Sequence, residues 1–296
     1  MYKDTFLNKK RNLRIKGSYL QLDVPKVAGI LNVTPDSFYD GGKYTTRESI
    51  FARAETLISE GADIIDVGAF SSRPGATEIS SDEEYARLSV ALDIIRNKWP
   101  EAVISVDTTK AVIARKAIEN FKADIINDIS AGMADKEMLD VVAEFHVPFI
   151  MMHMKGNPAT MQQHTNYSDM VREILAFFNE RLELIRKKGI NDIIIDPGFG
   201  FAKTPAQNFQ LLCHLGVFNI LELPVMVGLS RKSLIYRTLG ITPAESLNGT
   251  TALHSMALER GADILRVHDV KEARQTIELF YSMKTEGEKY NDHVRE

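Results

Sequence analysis

The chain of 296 residues has one cysteine, one tryptophan and no long apolar run. With Cys213 alone, an intrachain disulfide and a multi-cysteine metal site are both excluded. Its setting, LLCHL, reads as a buried helix thiol rather than a reactive one. So little cysteine suits a reducing, cytoplasmic location. No stretch approaches the roughly 18 uninterrupted apolar residues of a membrane span. The N-terminal MYKDTFLNKKRNLRIKG is basic but lacks the apolar core of a secretory signal, and Asp4 leaves only weak support for a transit peptide. Lys and Arg number 36 against 40 Asp and Glu, a net charge of −4, so no basic excess points to nucleic acid. Hydrophobic residues at 44% and charged residues at 26% exclude a disordered or low-complexity chain. Also missing are the G-x-S-x-G nucleophile elbow and the H-E-x-x-H metal motif. His153 and His164 lack ligand spacing, and His146, His214 and His254 read as packing or surface residues within helices.

What is present is order. Eight short, β-branched, apolar runs recur: 27–33, 62–70, 102–108, 123–129, 147–154, 192–201, 223–231 and 262–270. Runs that are apolar without alternation suit strands covered on both faces of a parallel sheet. Helix signals lie between them. Thr45-x-x-Glu48 and Ser81-x-x-Glu84 have the form of capping boxes, and Thr204-Pro205 and Thr242-Pro243 place proline at a helix start. Val171, Ile174, Phe178, Leu182 and Ile185 form one helical face closed by Gly189, and Gly61 and Gly261 close two further helices.

About 150 residues per domain would suggest two domains, but eight β-then-α units predict a single (β/α)8 TIM barrel. An open doubly wound sheet is the runner-up; it usually carries a Gly-rich turn after its first strand, where this chain has NVTPDSF. The expected organisation is an N-terminal extension or hairpin at 1–26 plugging the barrel's bottom, the barrel at 27–285, and a frayed polar tail at 286–296.

In such barrels the chemistry lies at the C-terminal strand ends, and here every end is polar. They read Asn32 with Thr34-Pro35-Asp36; Asp66 with Ser71-Ser72-Arg73-Pro74; Asp107-Thr108; Asn127-Asp128; Met152-His153; Asp196-Pro197-Gly198; Ser230-Arg231-Lys232-Ser233; and Arg266-Val267-His268-Asp269. Any one of these could be structural, but a buried charge is costly unless it is paired or serves a ligand. Asp107, Asn127 and Asp196 suit a flat heterocycle with several N–H donors. Arg73, Arg266 and His268, with Lys232 nearby, form a cationic set suited to a phosphate or diphosphate. The Asn32 amide oxygen could take Mg²⁺, with Asp36 assisting through water. No protein nucleophile is placed persuasively, so direct transfer from a diphosphate-bearing heterocycle is the natural chemistry.

GILNVTPDSFYDGGKY, IIDVGAFSSRPGA, ISVDTTK, IINDIS, MMHMKGNPATMQ, IIDPGFGFAKT, VGLSRKS and LRVHDV occur in that order, and together they resemble the dihydropteroate synthase family. The resemblance implies a transferase of alkyl or aryl groups other than methyl. It would condense 6-hydroxymethyl-7,8-dihydropterin diphosphate with 4-aminobenzoate, giving 7,8-dihydropteroate and diphosphate in folate biosynthesis. It implies pterin contacts at Asp107, Asn127, Asp196 and Lys232, with Ile129, Met152, Phe201 and Gly228 around the ring. Asn32 would hold Mg²⁺ and diphosphate, and Ser72, Arg73, Arg266 and His268 the diphosphate. Phe38, Pro74, Lys232 and Ser233 would form the aminobenzoate and sulfonamide pocket, built partly by loops 32–44 and 69–77. Lys232, Asp107 and Arg266 are the residues expected to carry the chemistry. A homodimer through late barrel helices follows from the same likeness.

One departure stands out. Many family members read GGEST where this chain has GAFSS, so Ser72 keeps a hydroxyl but Phe70 replaces a common glutamate and inherits no role. Two other readings share part of the pattern. A methyltetrahydrofolate:corrinoid methyltransferase would use the middle-strand Asp/Asn set but needs no diphosphate clamp. A non-catalytic pterin-binding scaffold would not need polar residues at every strand end.

Overall fold

Alternation along each strand decides what fills this protein's interior. The computed structural model describes residues 9–34, 46–70 and 79–293. Among them, a hairpin of β1 (Asn12–Ile15) and β2 (Ser18–Gln21) precedes eight parallel strands. These are β3 (Lys26–Asn32), β4 (Ile64–Gly68), β5 (Ile104–Asp107), β6 (Ile125–Asp128), β7 (Phe149–Met152), β8 (Ile193–Asp196), β9 (Met226–Val227) and β10 (Ile264–Val267). The pairing order is β8-β7-β6-β5-β4-β3-β10-β9, and a bridge from Ile195 to Val225 closes the ring. Because β3 pairs with both β4 and β10, the open doubly wound alternative is excluded.

Helices follow the strands: α1 (Arg47–Ser59), α2 (Ser81–Lys98), α3 (Ala111–Phe121), α4 (Met138–Phe145), α5 (Met170–Lys187), α6 (Pro205–Cys213), α7 (Ser233–Leu239), α8 (Leu247–Glu259) and α9 (Val270–His293). Outward strand residues such as Val67, Val106, Ile126, Met151, Ile195 and Val267 join the helices in one continuous core. The inward residues at the strand starts are also apolar: Ala28, Ile64, Ile125, Ile150, Ile194, Met226 and Ile264 form a second cluster. Leu13, Ile15 and Leu22 of the N-terminal segment complete it and seal the bottom. A two-residue turn at Lys16 and Gly17, both at positive φ, matches the strand twist of the hairpin. Lys9 ties the segment to the Asp263 carboxylate and to the Gly261 carbonyl (2.8 Å), and Lys10 binds Asp192 at 2.7 Å.

Two residues further along the same inward face, the chemistry changes. Ile64 is followed by Asp66, Ile125 by Asn127, Ile150 by Met152, Ile194 by Asp196, Met226 by Gly228, and Ile264 by Arg266. The barrel is thus apolar below and polar above, by strand periodicity alone.

Several local expectations are corrected. The cap of α1 is Thr46, whose hydroxyl accepts from Ser49 N at 3.2 Å while Ser49 Oγ accepts from Thr46 N at 3.2 Å. Thr45 lies outside the described residues. The cap of α2 is Ser80, which accepts from Glu83 N. Glu84 is instead buried, accepting from Thr108 Oγ1 at 2.6 Å and pairing with Lys110 at 3.0 Å. Thr204 and Gln207 do form the capping box of α6. Pro243 precedes a 3-10 turn, Ala244–Ser246, rather than opening α8. On α5, Met170 takes a buried position and Val171 is only half-buried. Cys213 is exposed: the buried side of α6 is Asn208, Leu211 and Leu212, and the next residue rotates away from it. α9 runs to His293, and residues 294–296 lie outside the described residues.

Leu13 is fully buried in the bottom seal. Leu13→Ala should lower stability by about 2–5 kcal/mol, read as a fall in the urea midpoint. Tyr19→Ala, at a side chain 61% exposed, should shift the midpoint little.

Candidate active site

The polar layer centres on Arg266. From β10 its Nε donates to Asp66 Oδ2 on β4 at 2.6 Å, and Nη2 donates to Asp107 Oδ2 on β5 at 2.8 Å. Asn127 on β6 donates from Nδ2 to both Asp66 oxygens at 3.3 Å. Gly68 leaves room beside them: a Cβ there would lie 3.5 Å from Asn32 Oδ1 and 3.6 Å from Asp107 Oδ2. Two carboxylates this deep are tolerable because the guanidinium bridges them. Burial opposes the Arg266 charge, but Asp66, Asp107 and Asp196 outweigh it and hold the guanidinium firmly protonated. Burial raises Asp107 above the carboxylate range, with Arg266 opposing and Asp66 adding to the rise. Asp107 Oδ1 is buried, and among the described residues no donor reaches it. An unsatisfied buried acceptor of this kind costs about 1–3 kcal/mol and is poised to receive a ligand N–H.

Across the barrel, Asp196 ends β8. Its Oδ1 accepts from Gly198 N at 2.8 Å, and burial raises its pKa against the pull of Lys232 and that N–H. Lys232 donates to the Phe199 carbonyl at 2.5 Å, and its Nζ stands 4.7 Å from the centre of the Phe201 ring. Burial brings Lys232 down to about 8, with Asp196 opposing the fall and Arg266 adding to it. Glycine at 200 and 228 leaves space for this side chain: a Cβ at Gly200 would sit 3.1 Å from Lys232 Cδ, and one at Gly228 3.6 Å from Nζ. Above the layer, Ile129, Met152, Met154, Met161 and Ala202 form a third apolar cluster, with Phe70 and Phe201 packed on it. An apolar wall, acceptors at Asp107 and Asp196 and a cation at Lys232 together fit a flat, polar-edged ring.

The rim departs from the sequence expectation. His268 is not a cation. Burial, with Arg266, Arg53, Arg231 and Lys232 around it, brings its pKa down to about 3. Ser230 Oγ lies 3.2 Å from both its Nδ1 and its backbone N. Arg266 is turned into the acidic layer rather than waiting at the rim. Asn32 ends β3 and Ser233 begins α7, both half-buried. Phe38, Ser72, Arg73 and Pro74 lie outside the described residues.

Three groups received no role from the sequence, although Asp66 and Arg231 were named among the polar strand ends. Asp66 occupies an inward position two residues after Ile64, the same strand parity that turns Asn127 and Asp196 inward. Arg231 is buried and bidentate to Asp269, at 2.8 Å from both Nε and Nη2, tying the loops after β9 and β10 together. Lys203 is buried beside His153, with 3.1 Å between Nζ and Nδ1, and nothing local in the sequence marks it.

Residues 28–268 match the family described as pterin binding enzyme. The dihydropteroate synthase of Escherichia coli strain K12 is 41% identical over 280 residues, covering 93% of this chain and 98% of that one. That of Synechocystis is 44% identical over 252 residues, covering 84% and 86%. The chain belongs to the dihydropteroate synthase family. Among solved structures, the Yersinia pestis dihydropteroate synthase in a sulfonamide drug complex superposes with a TM-score of 0.89 at 38% identity, covering 93% and 99%. The Xanthomonas albilineans dihydropteroate synthase with 4-aminobenzoic acid gives 0.85 at 39%, covering 93% and 98%. The activity is that of the family: a transferase joining the dihydropterin methylene of 6-hydroxymethyl-7,8-dihydropterin diphosphate to the 4-aminobenzoate nitrogen, forming dihydropteroate. Among the described residues no helix is long and apolar enough to cross a membrane.

In this dihydropteroate synthase site, Arg266→Met should leave Asp66 and Asp107 facing each other. Breaking a buried pair by removing one partner costs about 3–5 kcal/mol. Without the guanidinium, Asp107 rises further above its unfolded value, so ionisation opposes folding at high pH and protonation relieves it as pH falls. Denaturant midpoints of wild type and variant should therefore differ more near about pH 8 than near about pH 5.5.

Proposed function

We propose that the pterin ring lies in the polar layer against Asp107, Asn127, Asp196 and Lys232, and that its diphosphate faces Asn32, Arg266, His268 and the loop bearing Ser72 and Arg73. Ile129, Met152, Phe201 and Gly228 flank the ring. 4-Aminobenzoate enters from the side of Phe38, Pro74, Lys232 and Ser233. The observation carrying this reading is the Asp107 Oδ1 acceptor, buried and unmet among the described residues beside the Arg266 bridge.

The reaction breaks the bond between the pterin methylene and diphosphate oxygen and forms one from that carbon to the aminobenzoate nitrogen. Diphosphate departs with the electron pair, and the nitrogen's proton passes to solvent. Asp107, Asn127 and Asp196 orient the ring by hydrogen bonds, holding the methylene in line. The pterin delocalises positive charge as the bond to oxygen opens, so cleavage precedes attack. Lys232 acts by charge and hydrogen bonding rather than as an acid or base, since Phe201 and the Phe199 carbonyl hold it beside the ring. His268, neutral in the free protein, meets the diphosphate as a hydrogen-bonding group.

The donor set fits Mg²⁺. Asn32 offers a neutral amide oxygen over the gap at Gly68, and the described residues contain no cluster of three or more His, Cys, Asp or Glu that could hold an ion unaided. Such a site suits an ion that keeps most of its waters and binds chiefly to phosphate oxygens. When bound, Mg²⁺ supplies charge neutralisation to the departing diphosphate.

The barrel and its N-terminal extension form one domain, and the protein works in the cytoplasm. It forms a homodimer through late helices: Leu279 and Met283 lie one turn apart on α9, 74% and 61% exposed, with Met256 of α8 and Leu239 of α7 also exposed. Sedimentation should give twice the chain mass, and Leu279→Asp should shift it toward the monomer.

Steady turnover to diphosphate and dihydropteroate should require both Mg²⁺ and 4-aminobenzoate, since without the amine the cleaved pterin recombines with diphosphate. A corrinoid methyltransferase or a passive scaffold would release none. Asp107→Asn, Asp196→Asn and Arg266→Ala should each lower kcat/KM by about 100-fold, or ~2.7 kcal/mol. Values within a few-fold of wild type for all three would refute the assignment.

A further inference from the structure

Lys203 is 3% exposed and has no place in the reaction described above. Its Nζ donates to the Gly198 carbonyl at 2.9 Å and the Phe201 carbonyl at 3.0 Å, and lies 3.1 Å from His153 Nδ1. An ammonium has three N–H donors, and three acceptors surround this one. The third acceptor requires a neutral His153 with its proton on Nε2. Burial, with Lys203 and Lys155 beside it, brings the His153 pKa down to about 2 and keeps the ring neutral.

The segment so held is a contorted turn. Gly198, Gly200 and Ala202 all have positive φ, at +76°, +83° and +49°. It lies hard against the end of β7: a Cβ on Gly198 would come within 2.0 Å of the His153 carbonyl oxygen. His153 N donates to Asp196 O at 3.0 Å, binding the same two strand ends. Lys232 grips the turn from the pocket side at Phe199, and Lys203 grips it from the far side at Gly198 and Phe201.

We propose that Lys203 is a positioning residue for the pterin site: its buried ammonium fastens the Gly198–Phe201 turn to the His153 end of β7, and thereby sets the Phe201 ring and the Asp196 carboxylate against the pterin plane. The proposal rests on the reading of Asp196 and Phe201 as pterin contacts.

The ammonium is sensitive to pH. Burial lowers Lys203 to about 7, opposed by Asp196 on β8 and reinforced by Lys232 before α7 and Lys155 after β7. Lys155 is in turn paired with Glu173 of α5 at 2.6 Å and stands over Tyr167, whose hydroxyl donates to the Ala202 carbonyl at 3.0 Å. His153, being neutral, contributes no charge. As pH rises through about 7 the amine loses one donor, one acceptor goes unmet, and the turn loosens.

The test is equilibrium binding of the pterin diphosphate, with Mg²⁺, to full-length wild type, Lys203→Met and Lys203→Gln across that pH range, with thermal melting of each protein. Lys203→Met should weaken binding by about tenfold or more, as loss of hydrogen bonds from a charged donor implies. It should also flatten the wild-type weakening as pH rises through about 7, leaving the later change that Lys232 brings near about 8. Lys203→Gln, which keeps two donors, should recover part of the affinity with the profile near about 7 still flattened. If Lys203→Met does not fold, the Gln variant must still show that flattening. Affinity within twofold of wild type in the variants that fold, or a pH profile in them that superposes on that of wild type, overturns the proposal, whatever happens to melting temperature. Asp196→Asn and Phe201→Ala run alongside. If they bind pterin normally, the site reading falls and this proposal with it. If they weaken binding and the Lys203 variants do not, only the proposal falls.

Discussion

Arg266 bridging Asp66 and Asp107 is the contact on which the upper barrel depends. The three residues come from β10, β4 and β5, and the chain separations are 200 and 159 residues, so no local structure can substitute for the pairing. Remove the guanidinium and two carboxylates share a space walled by aliphatic side chains, where their repulsion is poorly screened. With it in place, Asp66 is satisfied by Arg266 and Asn127, while Asp107 keeps one oxygen unmet among the described residues. The bridge therefore does two things at once. It makes buried acid compatible with folding, and it leaves a single acceptor directed at a ligand.

Charge in this layer is close to balanced. Asp66, Asp107 and Asp196 stand against Arg266 and Lys232, and His268 adds nothing while it is neutral. A diphosphate would bring further negative charge to the rim of a layer already short of cations. In the proposed reaction, that charge is compensated chiefly by the metal arriving with the substrate and by the loop that carries Arg73, with Arg266 the member of the deep layer that also faces it. The other members of the layer read the ring by hydrogen bonds. Lys232 lies beside Asp196 and over Phe201 and directly precedes Ser233 at the start of α7, so it spans the ring and the aminobenzoate side.

Much of this was legible along the chain because parallel barrel strands obey a strict period. An apolar residue at one inward position and a polar residue two places later, repeated around the ring, can be read without any contact map. The eight units and the barrel were visible from the recurring apolar runs, and Asp107, Asn127 and Asp196 as the polar residues at their ends. What was not visible depends on partners distant in sequence. Arg266 and His268 looked like free cations, but one is engaged by acids on β4 and β5 and the other is neutral among four cationic neighbours. Glu84 looked like part of a helix cap, but Thr108 and Lys110, more than 20 residues away, hold it instead. Cys213 was misjudged for a simpler reason. Its neighbours Leu211 and Leu212 are apolar, but a helix turns about 100° per residue, and the stripe ends before it reaches the thiol.

The turn from Gly198 to Phe201 shows why a rigid pocket needs support outside itself. Its positive-φ backbone is strained for ordinary residues, and conformations of this kind persist only where surrounding contacts over-determine them. Here the contacts are numerous and mostly polar: Asp196 Oδ1 to Gly198 N, Asn208 Oδ1 to Gly200 N, Tyr167 to Ala202 O, and the two lysines on Phe199, Gly198 and Phe201. Hydrophobic packing alone could not do this, because it is non-directional and would accept several backbone paths. Hydrogen bonds from both sides select one. The flat face of Phe201 and the carboxylate of Asp196 then sit at fixed positions before any ligand arrives, which is the condition under which orientation contributes to rate.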